Sequence, residues 1–387
     1  MIILGIETSC DETAVCLMEA NGDISDPAFR VLGNALYSQV KIHAEYGGVF
    51  PAVAKREHAK NLVPLFKKAL EDAGMLAGKE PNEADLSDEL KATIQKRLER
   101  EPGLADALLG LAALMEKPAI DIISVTAGPG LEPALWVGIN FALALGELWN
   151  IPVIPANHME GHILSPLFHS NISNPVAFPA LALLISGGHT ELVLIKGWTE
   201  YEVIGQTRDD AVGEAFDKVA RLLSLPYPGG PQISKLAAGA RIAHTTPRFN
   251  LPRPMLKSGD YDFSFSGIKT SVLYALKKLP AIEDAEKKEM ALEFEDAVTE
   301  VLVAKTRTAL ESYEIKTLIL GGGVIANTFI REAFKKLAQE FHGMRLLIPD
   351  LDLSTDNAVM IAIAGYFDVL SGKKPQTEIK AEGNMQL

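Results

Sequence analysis

The sequence lacks most of what would tie it to a secreted, membrane-spanning or nucleic-acid-coating protein. It has two cysteines, Cys10 and Cys16, in 387 residues. That is too few for a disulfide framework, so a reducing compartment fits and the cytoplasm is the expected location. No run approaches the roughly 20 apolar residues that cross a bilayer, so no membrane partner is expected. The start, MIILGIETSC, has no basic n-region and runs straight into strand-like sequence, unlike a signal peptide. Basic residues are outnumbered 50 to 37, for a net charge of −13. A protein that binds nucleic acid unaided usually carries a basic footprint. Any RNA handled by this chain must therefore meet a local patch or a partner's surface. Lys55, Arg56 and Lys60 form one candidate patch, and Arg248, Arg253 and Lys257 another; ordinary solvated surface is the competing reading.

What is present is an α/β pattern that occurs twice. The length alone suggests two domains. Strand-like runs at 2–6, 14–19 and 31–38 enclose the polar loop Glu7–Thr13, with a turn at Asn21-Gly22. A helix with Leu62, Leu65, Phe66 and Leu70 at helical spacing follows over 55–73, then a strand at 120–127 and a helix at 132–149. The second occurrence has strands at 180–185, 191–196 and 201–205, the first two joined by Ser186–Thr190. A helix at 210–223, a long helix at 285–313, a strand at 317–320 and a strand at 345–348 complete it. This implies two RNase H-like lobes facing one cleft, as in the actin/Hsp70/sugar-kinase superfamily. The first lobe is expected over 1–154, completed by a C-terminal helix in 355–387, and the second over 155–354, carrying most of the nucleotide and metal site. Residues 75–118, rich in Glu, Lys, Leu and Ala, read as a helical insertion in the first lobe.

Several segments carry chemistry. Ser186-Gly187-Gly188-His189-Thr190 and Thr8–Thr13 are small polar loops between strands, where successive N–H groups can cradle phosphate. Gly321-Gly322-Gly323 follows an apolar strand and opens a helix, a further place for an anionic ligand to meet free N–H groups. His158 and His162 stand four apart, so on a helix both imidazoles reach one ion. A remote carboxylate is needed to complete such a site, and Asp356 in STDNA is the best candidate. Met159 stands where a zinc protease of the H-E-x-x-H type needs glutamate, which disfavours that reading. Asp217 could meet ribose hydroxyls, or simply pair with Lys218 or Arg221. Pro228–Pro231 reads as a rigid turn, and Asp262–Gly267 as a strand with alternating aromatics.

Together these segments resemble one family over nearly the whole chain: the tRNA N6-adenosine threonylcarbamoyltransferases, the TsaD family, in its bacterial form. The markers are GIETSCDETAV, HAEYGGVFPAVAKREHAKNL, TAGPGL, NHMEGH, LISGGHTEL, GEAFDKVARLL, YPGGP, DFSFSGIKTSV, GGGVIAN and STDNA. The resemblance implies transfer of a threonylcarbamoyl group from threonylcarbamoyl-adenylate to N6 of the adenosine 3′ of the anticodon, in tRNAs reading A-starting codons. It implies that His158, His162 and Asp356 hold one divalent metal, iron first and zinc as the alternative. It implies that Leu184, Ile185, Ser186, Gly187, Gly188, Asp217, Gly230 and Asn327 bind the adenylate, and that Asp11 and Glu12 face the transferred group. A paralogous TsaB-type subunit and a TsaE-type ATPase are the implied protein partners. The chain departs from the family in the 75–118 segment and in Ser234, where relatives sometimes carry an acid. An ATPase or small-molecule kinase on the same fold is the alternative.

Overall fold

The computed structural model describes residues 1–78, 86–168 and 176–387. It divides into two compact units: Met1–Pro175 with Asp356–Leu387, and Val176–Thr355. The chain opens unit 1 with β1 (Ile2–Glu7), β2 (Glu12–Gly22), β3 (Pro27–Ser38), α1 (Val40–Ala44) and α2 (Pro51–Asp72). Next come α3 (Asp88–Arg97), α4 (Leu104–Ala112), β4 (Ile122–Gly128), α5 (Glu132–Trp149), β5 (Val153–Asn157) and α6 (His158–Leu164). Unit 2 holds β6 (Ala180–Ile185), β7 (Thr190–Gly197), β8 (Glu200–Gln206), α7 (Val212–Leu222), α8 (Gly229–Ile242), α9 (Ser266–Leu276) and α10 (Asp284–Ser312). It ends with β9 (Thr317–Gly321), α11 (Thr328–Gln339) and β10 (Arg345–Leu347), after which α12 (Ala358–Leu370) returns to unit 1.

The two sheets have one topology. In unit 1 the order is β3-β2-β1-β4-β5, and in unit 2 it is β8-β7-β6-β9-β10. In each, the first three strands are an antiparallel meander and the last two run parallel to the first. The central strands β1, β4, β6 and β9 are buried almost throughout, which is why they read as continuous apolar runs rather than alternating ones. The expected α/β class with two lobes of one pattern is therefore what the chain forms.

Helix α12 explains why unit 1 needs the C-terminal segment. It is buried from Ala358 to Asp368, so its apolar residues run all the way round. It packs close to the sheet because glycine lines the contact: a Cβ at Gly5 would lie 2.3 Å from the Ala358 carbonyl oxygen, and one at Gly365 2.5 Å from Ser124 Oγ.

Three expectations need correction. The histidine helix α6 belongs to unit 1, since β5 runs directly into it and Gly161 lies against Met360 of α12. Asp262–Gly267 is not a strand; a single bridge joins Phe263 to Thr207, and α9 starts at Ser266. The proline-glycine segment at 228–231 is the first turn of α8 rather than a rigid loop, with Pro228 as the extended cap residue. The 75–118 segment forms α3 and α4; their Ile94, Leu104 and Leu108, with Leu98 just after α3, are buried in the core of unit 1. Its residues 79–85 lie outside the described ones.

Candidate metal centre and active site

Strand β5 ends at Asn157, whose side chain caps α6 by accepting from the Met159 and Glu160 N–H groups. One turn of helix then separates His158 from His162, and both imidazoles are buried. Asp356 arrives from the start of the C-terminal segment. Asn357 takes the capping role at α12, accepting from Met360 N at 3.0 Å, which leaves the Asp356 carboxylate free for the histidines. Asp356 Oδ1 lies 3.4 Å from His158 Nε2 and 3.3 Å from His162 Nε2. The imidazoles meet edge to face, with centroids 4.7 Å apart.

These residues fit a metal ion. Ligand atoms bonded at about 2.1 Å around a tetrahedral cation stand about 3.4 Å apart, close to the spacings here. His162 Nε2 is buried and makes no directed hydrogen bond, although it faces Asp356. A lone pair withdrawn from water and aimed at a carboxylate suits a cation between them. Burial works against charge on Asp356, yet His158 and His162 hold its carboxyl below the usual range. Burial likewise opposes a proton on His158, but the Asp356 and Glu7 carboxylates outweigh it and raise the imidazole. Burial keeps His162 below its ordinary value. The cluster thus favours one added positive charge, which a divalent ion supplies.

Glu7 is the group that sequence reasoning missed. It is buried at the end of β1. Its carboxylate accepts from Ser9 N–H and from Thr126 Oγ1, and it faces His158 Nδ1 at 3.1 Å. Burial resists the Glu7 charge, but His158 holds its carboxyl below the usual range. A carboxylate on the far nitrogen of a ligating histidine fixes the tautomer and raises ligand basicity. The only signal in the sequence is an acid closing an otherwise apolar strand. Glu7→Gln keeps an acceptor but loses the charge, so metal affinity should fall about 10- to 100-fold in a chelator competition, and further in Glu7→Ala. Unchanged affinity in both variants would remove Glu7 from the site.

The loop after β1 carries Asp11 and Glu12. It is fixed from below: Thr8 Oγ1 donates to the Ala134 carbonyl, and Gly138 of α5 leaves room for it, since a Cβ there would lie 2.4 Å from Thr8 Oγ1. It is fixed from the side by α2, where His58 Nε2 donates to the Cys10 carbonyl at 3.0 Å. Thr13 Oγ1 and Gln39 Nε2 reach His58 Nδ1 at 2.8 and 3.3 Å. Burial pushes His58 down to about 4. A histidine held neutral in the folded state contributes stability that is complete above its unfolded pKa, near 6.5, and is lost as pH falls toward 4. Between pH 7.5 and 4.5 the wild type should lose about 2–3 kcal/mol more than His58→Gln in urea unfolding. Equal losses would show that His58 is not the titrating group.

Burial, with Asp11 and Asp356 adding to it, pushes the Glu12 carboxyl up to about 10. Ser38 Oγ donates to Glu12 Oε1 at 3.0 Å. Glu12 is thus set apart from an ordinary surface acid.

In unit 2 the anticipated loops gather at the carboxyl ends of the parallel pair β6 and β9, where Leu184 stands beside Gly321. Leu184 and Ile185 are fully buried. Ser186 Oγ accepts from Gly188 N and His189 N at 3.3 and 3.1 Å, closing the turn. Nothing lies within 4 Å of a Cβ built on Gly187, Gly188 or Gly230, so these backbones face open space. Gly322 takes φ +92°, and a Cβ there would lie 2.4 Å from the Ile185 carbonyl oxygen; this position requires glycine. Asp217 Oδ1 accepts from Gly229 N at 2.7 Å, joining α7 to α8. Asn327 is already engaged. Its Oδ1 caps α11 through Phe329 and Ile330 N–H, and its Nδ2 donates to buried Glu295, which also pairs with Arg241. The candidate patch at 248–257 is largely neutralised, with Arg248 held by Glu286 and Glu289, and Arg253 by Glu293 and Glu300.

A family model described as tRNA N6-adenosine threonylcarbamoyltransferase, TsaD, matches residues 30–79 and 95–363. Most of the 75–118 segment therefore falls inside the family pattern. The enzyme of that name from Aromatoleum aromaticum is 41% identical over 374 residues, covering 97% of this chain and 93% of the relative. Its namesake from Thermosipho africanus is 39% identical over 388 residues and covers 100% of both. Among solved structures, the activator of 2-hydroxyisocaproyl-CoA dehydratase from Clostridium difficile, with bound ADPNP, aligns over 96% of each chain at 10% identity and a TM-score of 0.46. The fold assignment rests on strand order instead. The relatives do not favour the kinase or ATPase alternative. Matched along nearly its whole length by transferases that modify tRNA, the chain belongs to the tRNA N6-adenosine threonylcarbamoyltransferase family.

Proposed function

We propose that the chain takes the threonylcarbamoyl group from threonylcarbamoyl-adenylate and passes it to the adenosine 3′ of the anticodon, with His158, His162 and Asp356 holding one divalent metal ion. The observation that carries this reading is the trio itself, whose ligand atoms all lie within 4.8 Å of one another. Two imidazoles and one carboxylate with positions left open suit iron(II), with zinc as the alternative. When bound, the ion supplies Lewis-acid polarisation of the carbamoyl oxygen or a grip on the donor.

The donor is a mixed anhydride, so no nucleophilic side chain is required. The N6 lone pair attacks the carbamoyl carbon, the bond from that carbon to the phosphate oxygen breaks, and AMP leaves with the electron pair. N6 must then lose one proton. Glu12 is the proposed acceptor, because a carboxylate with a raised pKa is the stronger base. Asp11 sustains that raised value as its charged neighbour. The turn at Ser186, Gly187 and Gly188, whose glycines face open space, is proposed with Gly230 to cradle the adenylate phosphate. Leu184, Ile185, Asp217 and Asn327 are proposed to hold the nucleoside. N6 of adenine is a poor nucleophile, so positioning must carry much of the rate.

A TsaB-type subunit and a TsaE-type ATPase are the proposed partners, and the cytoplasm the proposed location. Among the described residues no helix is long and apolar enough to cross a membrane. Mass spectrometry of tRNA nucleosides, after incubation with threonylcarbamoyl-adenylate and those partners, tests the reading. Threonylcarbamoyladenosine should form at the expected position, and its absence under every partner combination would defeat the proposal.

A further inference from the structure

A single large apolar side chain exposed on a protein surface is ordinary. Tyr46 and Phe50 stand together. Their rings stack with centroids 5.8 Å apart and 21° between planes, while the residues remain 58% and 52% exposed. The loop that bears them, between α1 and α2, is pinned. Tyr46 N and Gly48 N donate to the His43 carbonyl at 3.0 and 3.2 Å, and Phe50 N donates to Nδ1 of buried His43 at 3.3 Å. Because that Nδ1 accepts, Nε2 carries the proton and donates to Gln39 Oε1 at 3.1 Å. Gln39 N–H in turn donates to the Asp11 carbonyl at 2.9 Å, and Gln39 Nε2 reaches His58. An exposed aromatic pair is thus tied by continuous hydrogen bonds to the loop of Asp11 and Glu12.

We infer that Tyr46 and Phe50 form a stacking platform for an unpaired base of the tRNA substrate beside the target adenosine. The inference rests on the reading that this chain modifies an anticodon-loop adenosine. Loop bases are unpaired and can be splayed onto aromatic side chains. Stacking needs no phosphate neutralisation, which suits a chain of net charge −13. The nearby cations favour nucleic acid as well. Arg56 and Lys60 on α2, which begins just after Phe50, are exposed, and among the described residues their one acidic partner is Glu57, at 3.5 and 3.9 Å. The 248–257 patch, by contrast, has its arginines held by glutamates.

The test uses the complete enzyme with its partners and two tRNAs, each carrying 2-aminopurine on one side of the target adenosine. Wild type should quench the fluorescence of at least one probe. Tyr46→Ala/Phe50→Ala should abolish that quenching and raise KM for tRNA at least about tenfold, with kcat and the melting temperature unchanged. Tyr46→Phe/Phe50→Tyr should behave as wild type. The slope of log KM against log salt should not change, since no phosphate contact is lost. If wild type binds tRNA and the double alanine variant quenches equally or keeps its KM, the platform alone is overturned. Weaker association with a protein partner at unchanged KM for tRNA would likewise overturn it, by making this face a protein interface. Failure of wild type to bind tRNA would instead overturn the substrate reading, and the platform with it.

Discussion

Replacing His158 and His162 together by alanine should leave a folded enzyme that retains no metal and forms threonylcarbamoyladenosine at least about a thousandfold more slowly. The magnitude follows from the several kcal/mol that a Lewis-acidic ion or a lost substrate grip is worth in a transition state. Asp356→Asn separates charge from shape. It preserves an oxygen at the same place, so a comparable loss would point to the charge. Metal analysis of the purified variants, beside nucleoside mass spectrometry, decides the matter. One ion per chain retained by the double variant, with activity within tenfold of wild type, would sink the metal site.

The second large effect is expected at Glu12. Glu12→Gln removes the proposed proton acceptor and should slow the reaction by about 10²- to 10⁴-fold, the usual worth of a positioned general base. The pH profile is the more telling measurement. A carboxyl pushed up by burial and by Asp11 is protonated at the pH where ordinary carboxyls have already ionised. The wild-type kcat/KM should therefore rise with pH on the alkaline side of neutrality, and that limb should vanish in the glutamine variant. An identical limb in both proteins would assign the ionisation to another group.

Much of the fold was legible because the signals were local. Helix α5 and strand β6 lie at the residues that their apolar runs marked, and the two histidines could be paired by helical spacing alone. Asp356 was legible only as the acid in a capping-type segment; that Asn357 takes the cap, and so frees Asp356, is a matter of tertiary geometry. Glu7 was barely legible, because a buried acid at a strand end looks like the start of a polar loop until its three partners are seen. The DFSFSG segment misled for a different reason. Its alternation resembles a strand, but Asp209 accepts from the Phe265 and Ser266 N–H groups, and both serine hydroxyls donate to it, which bends the segment into α9. Alternation describes side chains; here the backbone donors went to a carboxylate elsewhere in the chain. Asn327, which the family resemblance implies as a ligand contact, also caps α11 and donates to Glu295, a role within the fold that the sequence did not mark.

The return of α12 to unit 1 has a consequence for how the molecule is made. A ribosome releases the amino-terminal end first, at roughly 5–20 residues per second. His158 emerges roughly 200 residues ahead of Asp356, with all of unit 2 between them. During that interval, of order 10–40 seconds at such rates, the first sheet lacks the helix that covers Gly5 and Ser124. Unit 2, continuous in sequence, can complete its core while unit 1 is still waiting. Asp356 reaches the histidines at the step that seals the first sheet, so an ion held by the trio would be loaded at the last act of folding rather than at the first.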